Sequence, residues 1–393
     1  MAIEGSKTTG SGGRIRLGMI GGGQGAFIGA VHRIAMRLDD RFAFVAGALS
    51  STPDKARASG RELGLAEDRI YGSYQDMAEA EAGRADGIEA VAIVTPNHAH
   101  FPAAKAFLEA GFHVICDKPM TTTLADARAL ADIARRSGKL FVLTHNYTGY
   151  PMIREARALV ASGALGELRL VQAEYAQDWL SERLEASGSK QAEWRTDPKR
   201  SGAGGCIGDI GTHAYNLAGF VSGLELDRVA ADLSTFVEGR ALDDNVAVLL
   251  RFKGGAKGML WASQVAVGNE NTLTLRVYGS KGGLEWRQED PNKLWFTPLG
   301  EPKRLLTRNG AGTGEASKRV SRIPPGHPEG YLEGFATIYG EAAEAIAAAR
   351  DGTPLDPAVI HPTAGDGVRG LAFIEACIAS SRADGAWTTV EAG

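Results

Sequence analysis

From Arg14 onward the chain alternates short apolar runs with segments in which apolar residues recur at helical spacing. The runs at 15–20, 42–49, 88–94, 112–116 and 140–144, with a shorter one at 70–71, predict strands bounded by polar or glycine-containing turns. Between them, Ile28, Val31, Ala35 and Leu38 fall on one helical stripe, and Leu124, Ala127, Ala131 and Ala134 on another that stops at Gly138. Strand and helix in alternation predict an α/β unit, a parallel doubly wound sheet with helices on both faces. After about Asn146 strand-like runs follow one another directly, at 168–177, 228–237, 245–252, 257–265, 272–278, 283–287 and 294–297. That succession predicts an α+β unit built on an open, largely antiparallel sheet. Helical patterns at 152–162, 210–221, 331–349 and 365–383 would cover one of its faces. The expected organisation is a flexible tail over 1–13, a first domain over 14–145 and a second over 146–393, whose C-terminal helices could pack back on the first.

A length of 393 residues fits two cores better than one, since single domains usually run to roughly 150 residues. Hydrophobic residues at 44% and charged residues at 23% exclude fibrous and disordered classes. Lys+Arg 43 against Asp+Glu 47, a net charge of -4 without long blocks of one sign, gives no footprint for nucleic acid or anionic lipid. Small-molecule chemistry is the better expectation. Cys116, Cys206 and Cys377 are far apart, which offers neither a disulfide framework nor a zinc spacing and fits a reducing cytoplasm. No apolar run approaches the roughly 20 residues of a membrane span, so no membrane partner is expected. Residues 1–13 are polar and rich in Gly, Ser and Thr, with no secretory signal.

Ligands of a doubly wound sheet bind beyond the carboxyl ends of its strands. The first strand runs into Gly21-Gly22-Gly23-Gln24-Gly25-Ala26-Phe27-Ile28-Gly29, a glycine-rich turn opening a helix whose free N–H groups would hold a pyrophosphate. Gly21 and Gly23 fit the dinucleotide fingerprint and Gly29 is the third glycine, three residues late; read barely, the stretch is a turn without a ligand. An NAD site usually carries an acid at the end of the second strand, and here Ser50, Ser51, Thr52, Pro53, Asp54 and Lys55 follow Leu49. Hydroxyls, a cation and a helix N-terminus suit a 2'-phosphate, so NADP is favoured over NAD; the other reading is that Thr52-Pro53 only caps a helix. Thr95, Pro96, Asn97, His98 and His100 stand at another strand end, and Asp117, Lys118 and Pro119 at the next. Pro119 disfavours helical geometry at Lys118 and holds the lysine as a fixed cation.

In the second half, Asp209 and His213 lie i, i+4 at the start of a helix. A histidine beside a carboxylate suits proton abstraction from a hydroxyl, and a structural cap-plus-histidine pair fits equally well. No metal is expected, since no further ligand is near in sequence. Asn146, Tyr147, Asn216 and His98 are further candidates for substrate hydroxyls. Residues 308–330, rich in Gly, Ser and Pro, read as a mobile lid, with His327 reaching the site. Leu260, Ala262 and Gln264 alternate with Met259, Trp261 and Ser263 along one strand, so the row turned away from the helices needs cover. A homodimer or homotetramer through that sheet is expected.

Taken together, the glycine-rich turn, Thr95-Pro96-Asn97-His98, Asp117-Lys118-Pro119, Trp194-Arg195 and Asp209-Ile210-Gly211-Thr212-His213 resemble the glucose-fructose oxidoreductase / inositol dehydrogenase / rhizopine catabolism (Gfo/Idh/MocA) family over about Arg14 to Trp387. Asp117 stands where Glu is commoner. The resemblance implies a Rossmann domain followed by a substrate and oligomerisation domain, and a nicotinamide-dependent oxidation of a secondary alcohol on a sugar or cyclitol. It implies Lys118, Asp209 and His213 as the catalytic trio, Trp194 and Arg195 along the cofactor, and Ser50 with Lys55 as an NADP-type turn. His213 would then accept the hydroxyl proton, Asp209 would orient its ring and Lys118 would polarise the oxygen. The family also holds glycosidases that oxidise transiently with bound dinucleotide, and sugar sensors that bind the dinucleotide without net redox. The trio disfavours a sensor, and the sequence leaves dehydrogenase and glycosidase open.

Overall fold

The computed structural model describes residues 13–391, so the tail expected over 1–13 lies, Gly13 apart, outside the described residues. The described residues divide into two units, one formed by those up to 121 with 125–146 and 331–367, the other by 122–124, 147–330 and those from 368 onward.

The first unit holds five parallel strands, β1 (Ile15–Gly21), β2 (Phe42–Ala48), β3 (Ala90–Val94), β4 (His113–Cys116) and β5 (Phe141–Leu143), in the order β2-β1-β3-β4-β5. Helices α1 (Phe27–Leu38), α2 (Pro53–Glu62), α3 (Tyr74–Ala82), α4 (His100–Glu109) and α5 (Leu124–Ser137) complete the doubly wound pattern. The run at 70–71 is a single parallel bridge from Ile70 to Gly47 rather than a strand. β3 is buried at all five positions, which is why it reads as continuous apolar sequence without alternation.

The second unit carries α6 (Pro151–Ala161), β6 (Leu168–Ala176), α7 (Lys190–Arg195), α8 (Pro198–Ser201), α9 (Thr212–Ser222), β7 (Leu226–Ser234), β8 (Asn245–Phe252), β9 (Lys257–Ser263), β10 (Thr272–Gly279), β11 (Gly282–Arg287), β12 (Lys293–Pro298), β13 (Arg304–Thr307) and α10 (Glu315–Lys318). Its nine-stranded sheet runs β13-β12-β11-β10-β6-β9-β8-β7-β14, with β14 at Thr388–Thr389. Every pair is antiparallel except β6 with β9. Helices α6 and α9 pack on one face. Along β9 the helix side is buried, with Leu260 and Ala262 inside, while Met259 and Trp261 stay exposed beside Leu249.

Helix α11 (Tyr331–Asp351) takes the alternative in which C-terminal helices pack back on the first domain, whereas residues 308–330 depart from the sequence reading. This helix belongs to the first unit, because Phe335, Ile338, Tyr339, Ala342 and Ile346 join one core with Val31, Ala35, Met36 and Phe42; the final helix, α12 (Ala364–Arg382), lies mostly in the second. Residues 308–330, read as a loose lid, are tied down. The buried Arg308 pairs with buried Glu329 at 3.0 Å and donates to the carbonyls of Ile323 and Pro324 at 2.7 and 3.0 Å. The Glu329 carboxylate also accepts from the backbone of Arg322 and Ile323, and Glu155 of α6 accepts from Gly314 N–H at 2.9 Å. Composition reported the turns in this segment but not the buried ion pair that fixes them. Among the described residues no helix is long and apolar enough to cross a membrane.

Candidate functional site

In the first unit the glycine turn is built by steric demand. Gly21 and Gly22 have φ of 78° and 71°, values that L side chains rarely adopt. A Cβ on Gly29 would sit 2.3 Å from the Gly22 carbonyl oxygen, so only glycine lets α1 approach β1 this closely. That contact assigns Gly29 as the third glycine. Gly23 N–H donates to Leu49 O, and Gln24 N–H to the Ser59 hydroxyl, which fixes the loop against the β2 end; the Gln24 side chain turns to Glu62 at 2.6 Å. Helix α1 begins with no side-chain cap and no acid in its first turn, and a Cβ on Gly25 would meet open space. Phe27 is 67% exposed at the first helical position, with Ile28 half-buried behind it. The hydroxyl of Thr95 and the side-chain nitrogen of Asn146 are buried and make no hydrogen bond within the protein among the described residues. A glycine cradle, an uncapped helix start and an unsatisfied hydroxyl at the next strand end fit a dinucleotide.

At the end of β2, Ser50 accepts from Thr52 N–H at 3.2 Å, Ser51 is exposed, and Lys55 is half-buried on the first turn of α2. At the β3 end His98 is exposed and Asn97 buried. His100, expected at the cofactor, has both ring nitrogens against backbone carbonyls, of Pro119 at 2.8 Å and Thr95 at 2.9 Å. It acts as a strut between two strand ends. Burial lowers its pKa although both carbonyls favour the charged ring.

Asp117, also assigned to the cofactor, faces protein. Its Oδ1 accepts from the Thr144 hydroxyl at 2.6 Å and lies 3.2 Å from His32 Nε2, whose Nδ1 meets the Tyr339 hydroxyl at 2.8 Å. Burial opposes ionisation of Asp117, but His32 and the two hydrogen bonds outweigh it and hold the carboxyl below its usual range. Asp117 and Lys118 lie just beyond the end of β4 at Cys116, so these contacts tie down the residue that precedes Lys118. The Lys118–Pro119 bond is cis, and Lys118 is half-buried. Nearby, His145 is pushed down to about 3 by burial, with the Lys118 charge acting in the same sense.

In the second unit, Asp209 sits on a π turn, Ile207–Gly211, that leads directly into α9. The wider turn replaces the α-helical spacing from which a shared face with His213 was read, and such turns often mark functional sites. Asp209 Oδ2 accepts from the Gln264 side chain at 2.9 Å and pairs with Arg195 Nε at 3.2 Å. Arg195, expected along the cofactor, therefore serves the carboxylate, and its guanidinium lies 4.3 Å from the Trp194 ring centre. The turn is held from below by buried Asp243, whose two oxygens accept Gly205 N–H and Ile207 N–H at 2.6 and 2.8 Å. Burial pushes the Asp243 pKa up to about 6 against the pull of those bonds.

His213 is buried against Tyr147, edge to face at 4.9 Å, with Tyr175 at 6.3 Å. The Tyr147 hydroxyl, assigned to substrate, is engaged by Tyr175, which donates to Asn271 at 2.8 Å; burial raises the Tyr147 pKa. Tyr147 is thus a wall for the imidazole. Asn216 stands one turn after His213 on α9, half-buried, and so shares its face. His327 is exposed, in the segment fixed by Arg308. His32, Tyr339 and Asp243 escaped the sequence reading, and Gln264 entered it only as an alternating position of a strand. The one available signal was His32, a polar residue on the buried stripe of α1 three positions after Gly29.

Residues 15–147 match the oxidoreductase family with an NAD-binding Rossmann fold, and residues 153–285 match the GFO/IDH/MocA C-terminal domain. The chain is 60% identical to an oxidoreductase from Sinorhizobium meliloti of known crystal structure, covering 96% of this chain and 99% of that one with a TM-score of 0.86. An inositol dehydrogenase homologue from Azotobacter vinelandii, solved with NADH and myo-inositol, is 36% identical over 96% of this chain and 98% of its own, with a TM-score of 0.89. An uncharacterised oxidoreductase of Bacillus subtilis (strain 168) is 33% identical over 95% of this chain and 96% of that protein. With both domains matched in order on the fold described above, the chain belongs to the Gfo/Idh/MocA family of NAD-binding oxidoreductases.

Proposed function

We propose that the protein is a dehydrogenase that oxidises a secondary alcohol of a cyclitol or sugar. The observation that carries the reading is the His213 environment: a buried imidazole walled by Tyr147, one helical start away from a carboxylate held by two donors. An imidazole placed beside an oriented carboxylate is the usual general base for a substrate hydroxyl. When bound, the nicotinamide supplies the two-electron acceptor and takes the hydride of the carbinol carbon. The hydroxyl proton passes to the His213 ring, Asp209 stabilises the resulting imidazolium, and the Lys118 ammonium donates toward the oxygen as it becomes a ketone. Gly21, Gly22, Gly23 and the start of α1 would hold the pyrophosphate, with Thr95 contributing its hydroxyl. The homologue solved with NADH and myo-inositol supports a cyclitol as the first substrate to try.

At the adenosine end, Ser50, Ser51 and Lys55 occupy the place of the acid that usually binds an NAD ribose, and we read this turn as favouring NADP. The exposed row of Leu249, Met259 and Trp261 supports a dimer or tetramer through the outer face of the large sheet. The reading is tested by incubating the protein with NADP+ or NAD+ and a panel of cyclitols, free sugars and glycosides. Reduced nicotinamide accumulating in proportion to the alcohol consumed is expected; glycoside cleavage without it would replace the dehydrogenase with a transiently oxidising glycosidase.

A further inference from the structure

Two donors of different kind converge on one oxygen of Asp209. Gln264, 2% exposed, brings a neutral amide to 2.9 Å of Oδ2, and Arg195 brings a guanidinium to 3.2 Å of the same atom. Neither is placed by chance. The Gln264 backbone is fixed on both sides, its N–H donating to Asp244 O at 2.8 Å and its carbonyl accepting Leu180 N–H at 3.1 Å. Arg195 lies at the end of α7, which Ser189 caps, with its guanidinium over Trp194 at 4.3 Å and Trp179 at 5.9 Å. The aromatic faces hold the cation without competing for Asp209 as acceptors.

We infer that Gln264 and Arg195 are positioning residues that clamp Asp209 as an oriented carboxylate for its work beside His213. The inference rests on the dehydrogenase reading. A neutral amide can donate but carries no charge, so Gln264 fixes direction, whereas Arg195 sets the cost of protonating Asp209. Among the described residues, ionisable groups that feel this carboxylate include Tyr147, whose phenol burial and then Asp209 hold up, and the Cys206 thiol, whose ionisation burial and neighbouring acids including Asp209 oppose. Among these groups and Gln264, Arg195 is the permanent cation, so its loss should act on charge and the loss of Gln264 on geometry. Gln264→Glu does both, since it sets a second carboxylate against Oδ2 and removes the donor.

The test combines pH profiles with melting curves. In the dehydrogenase assay, Arg195→Gln and Gln264→Glu should each move the acid limb of kcat/KM upward by about one unit. Gln264→Leu should lower kcat by roughly tenfold or more with the limb in place, because misorientation costs rate without adding charge. Gln264→Glu should also melt roughly 2 °C or more below the wild type at pH 8 but not at pH 5, and in the Asp209→Asn background that difference should shrink to the cost of burying the new charge alone. The melting arm needs no substrate, so it stands even if no alcohol in the panel is oxidised and the dehydrogenase reading falls. An acid limb unmoved in both charge variants, or a Gln264→Glu penalty undiminished in the Asp209→Asn background, would overturn the clamp.

Discussion

Replacing Asp243 by Asn probes the support beneath the candidate catalytic turn. In the folded protein the buried carboxylate accepts two backbone N–H groups, of Gly205 and Ile207, and its pKa is pushed up to about 6 by burial. Asn keeps one acceptor and turns an N–H against the other donor, which costs about 1–3 kcal/mol. The charge works in the opposite direction. A folded pKa raised above the reference 3.8 means that the native state binds the proton more tightly than the unfolded chain. Its stabilising effect is complete below pH 3.8 and is lost as pH rises through 6. Linkage with these two values gives about 1.4 kcal/mol more stability from this group at pH 5 than at pH 8. Asp243→Asn cannot titrate, so the advantage of wild type over variant should be larger at pH 5 than at pH 8 by about that amount. Equilibrium denaturation of both proteins at the two pH values measures the difference, in which the other titrating groups cancel. A gap that stays constant, or that widens toward pH 8, would refute the burial argument. Because Gly205 and Ile207 flank Cys206 just before Asp209, turnover should fall as well, by about 100-fold if the turn shifts by about 1 Å.

Three further outcomes follow from the same geometry. Gly29→Ala places a methyl 2.3 Å from Gly22 O, a backbone atom that must move, so dinucleotide affinity by fluorescence titration should fall by roughly tenfold or more; unchanged affinity would detach the cradle from the cofactor. Ser50→Asp should shift preference from NADP(H) toward NAD(H), because a carboxylate accepts from a ribose hydroxyl and repels a 2'-phosphate, and equal titrations before and after would remove that turn from recognition. Charging the outer sheet face with Met259→Lys and Trp261→Lys should lower the mass found by light scattering to that of one chain, whereas an unchanged oligomer would place the interface elsewhere.

What the sequence made legible followed where burial is one-sided. β8 and β9 alternate outside and inside positions because helices cover only one face, and the period of two appears directly in the residues. The glycine turn was legible because close backbone approach leaves glycine as the sole choice. Partners from distant segments were not. Asp117 looked like a cofactor ligand, and its actual partners come from α1 and, through His32, from α11 more than two hundred residues later. Arg195 was read by its place in a motif, while its role on Asp209 depends on a π turn that no local pattern announces. The segment 308–330 has the composition of a loose loop, and the Arg308–Glu329 pair that fixes it is a contact between residues its local sequence gives no reason to join. Helix α11 is apolar enough to serve either unit, and only the core it completes decides between them.

The assignment of His213 as proton acceptor carries the functional account, and single-turnover reduction of the bound nicotinamide with the preferred alcohol tests it most directly. His213→Ala should lose about 100- to 10,000-fold in that step while cofactor affinity stays close to that of the wild type. Retention of more than about a tenth of the wild-type rate would make His213 structural and contradict the mechanism.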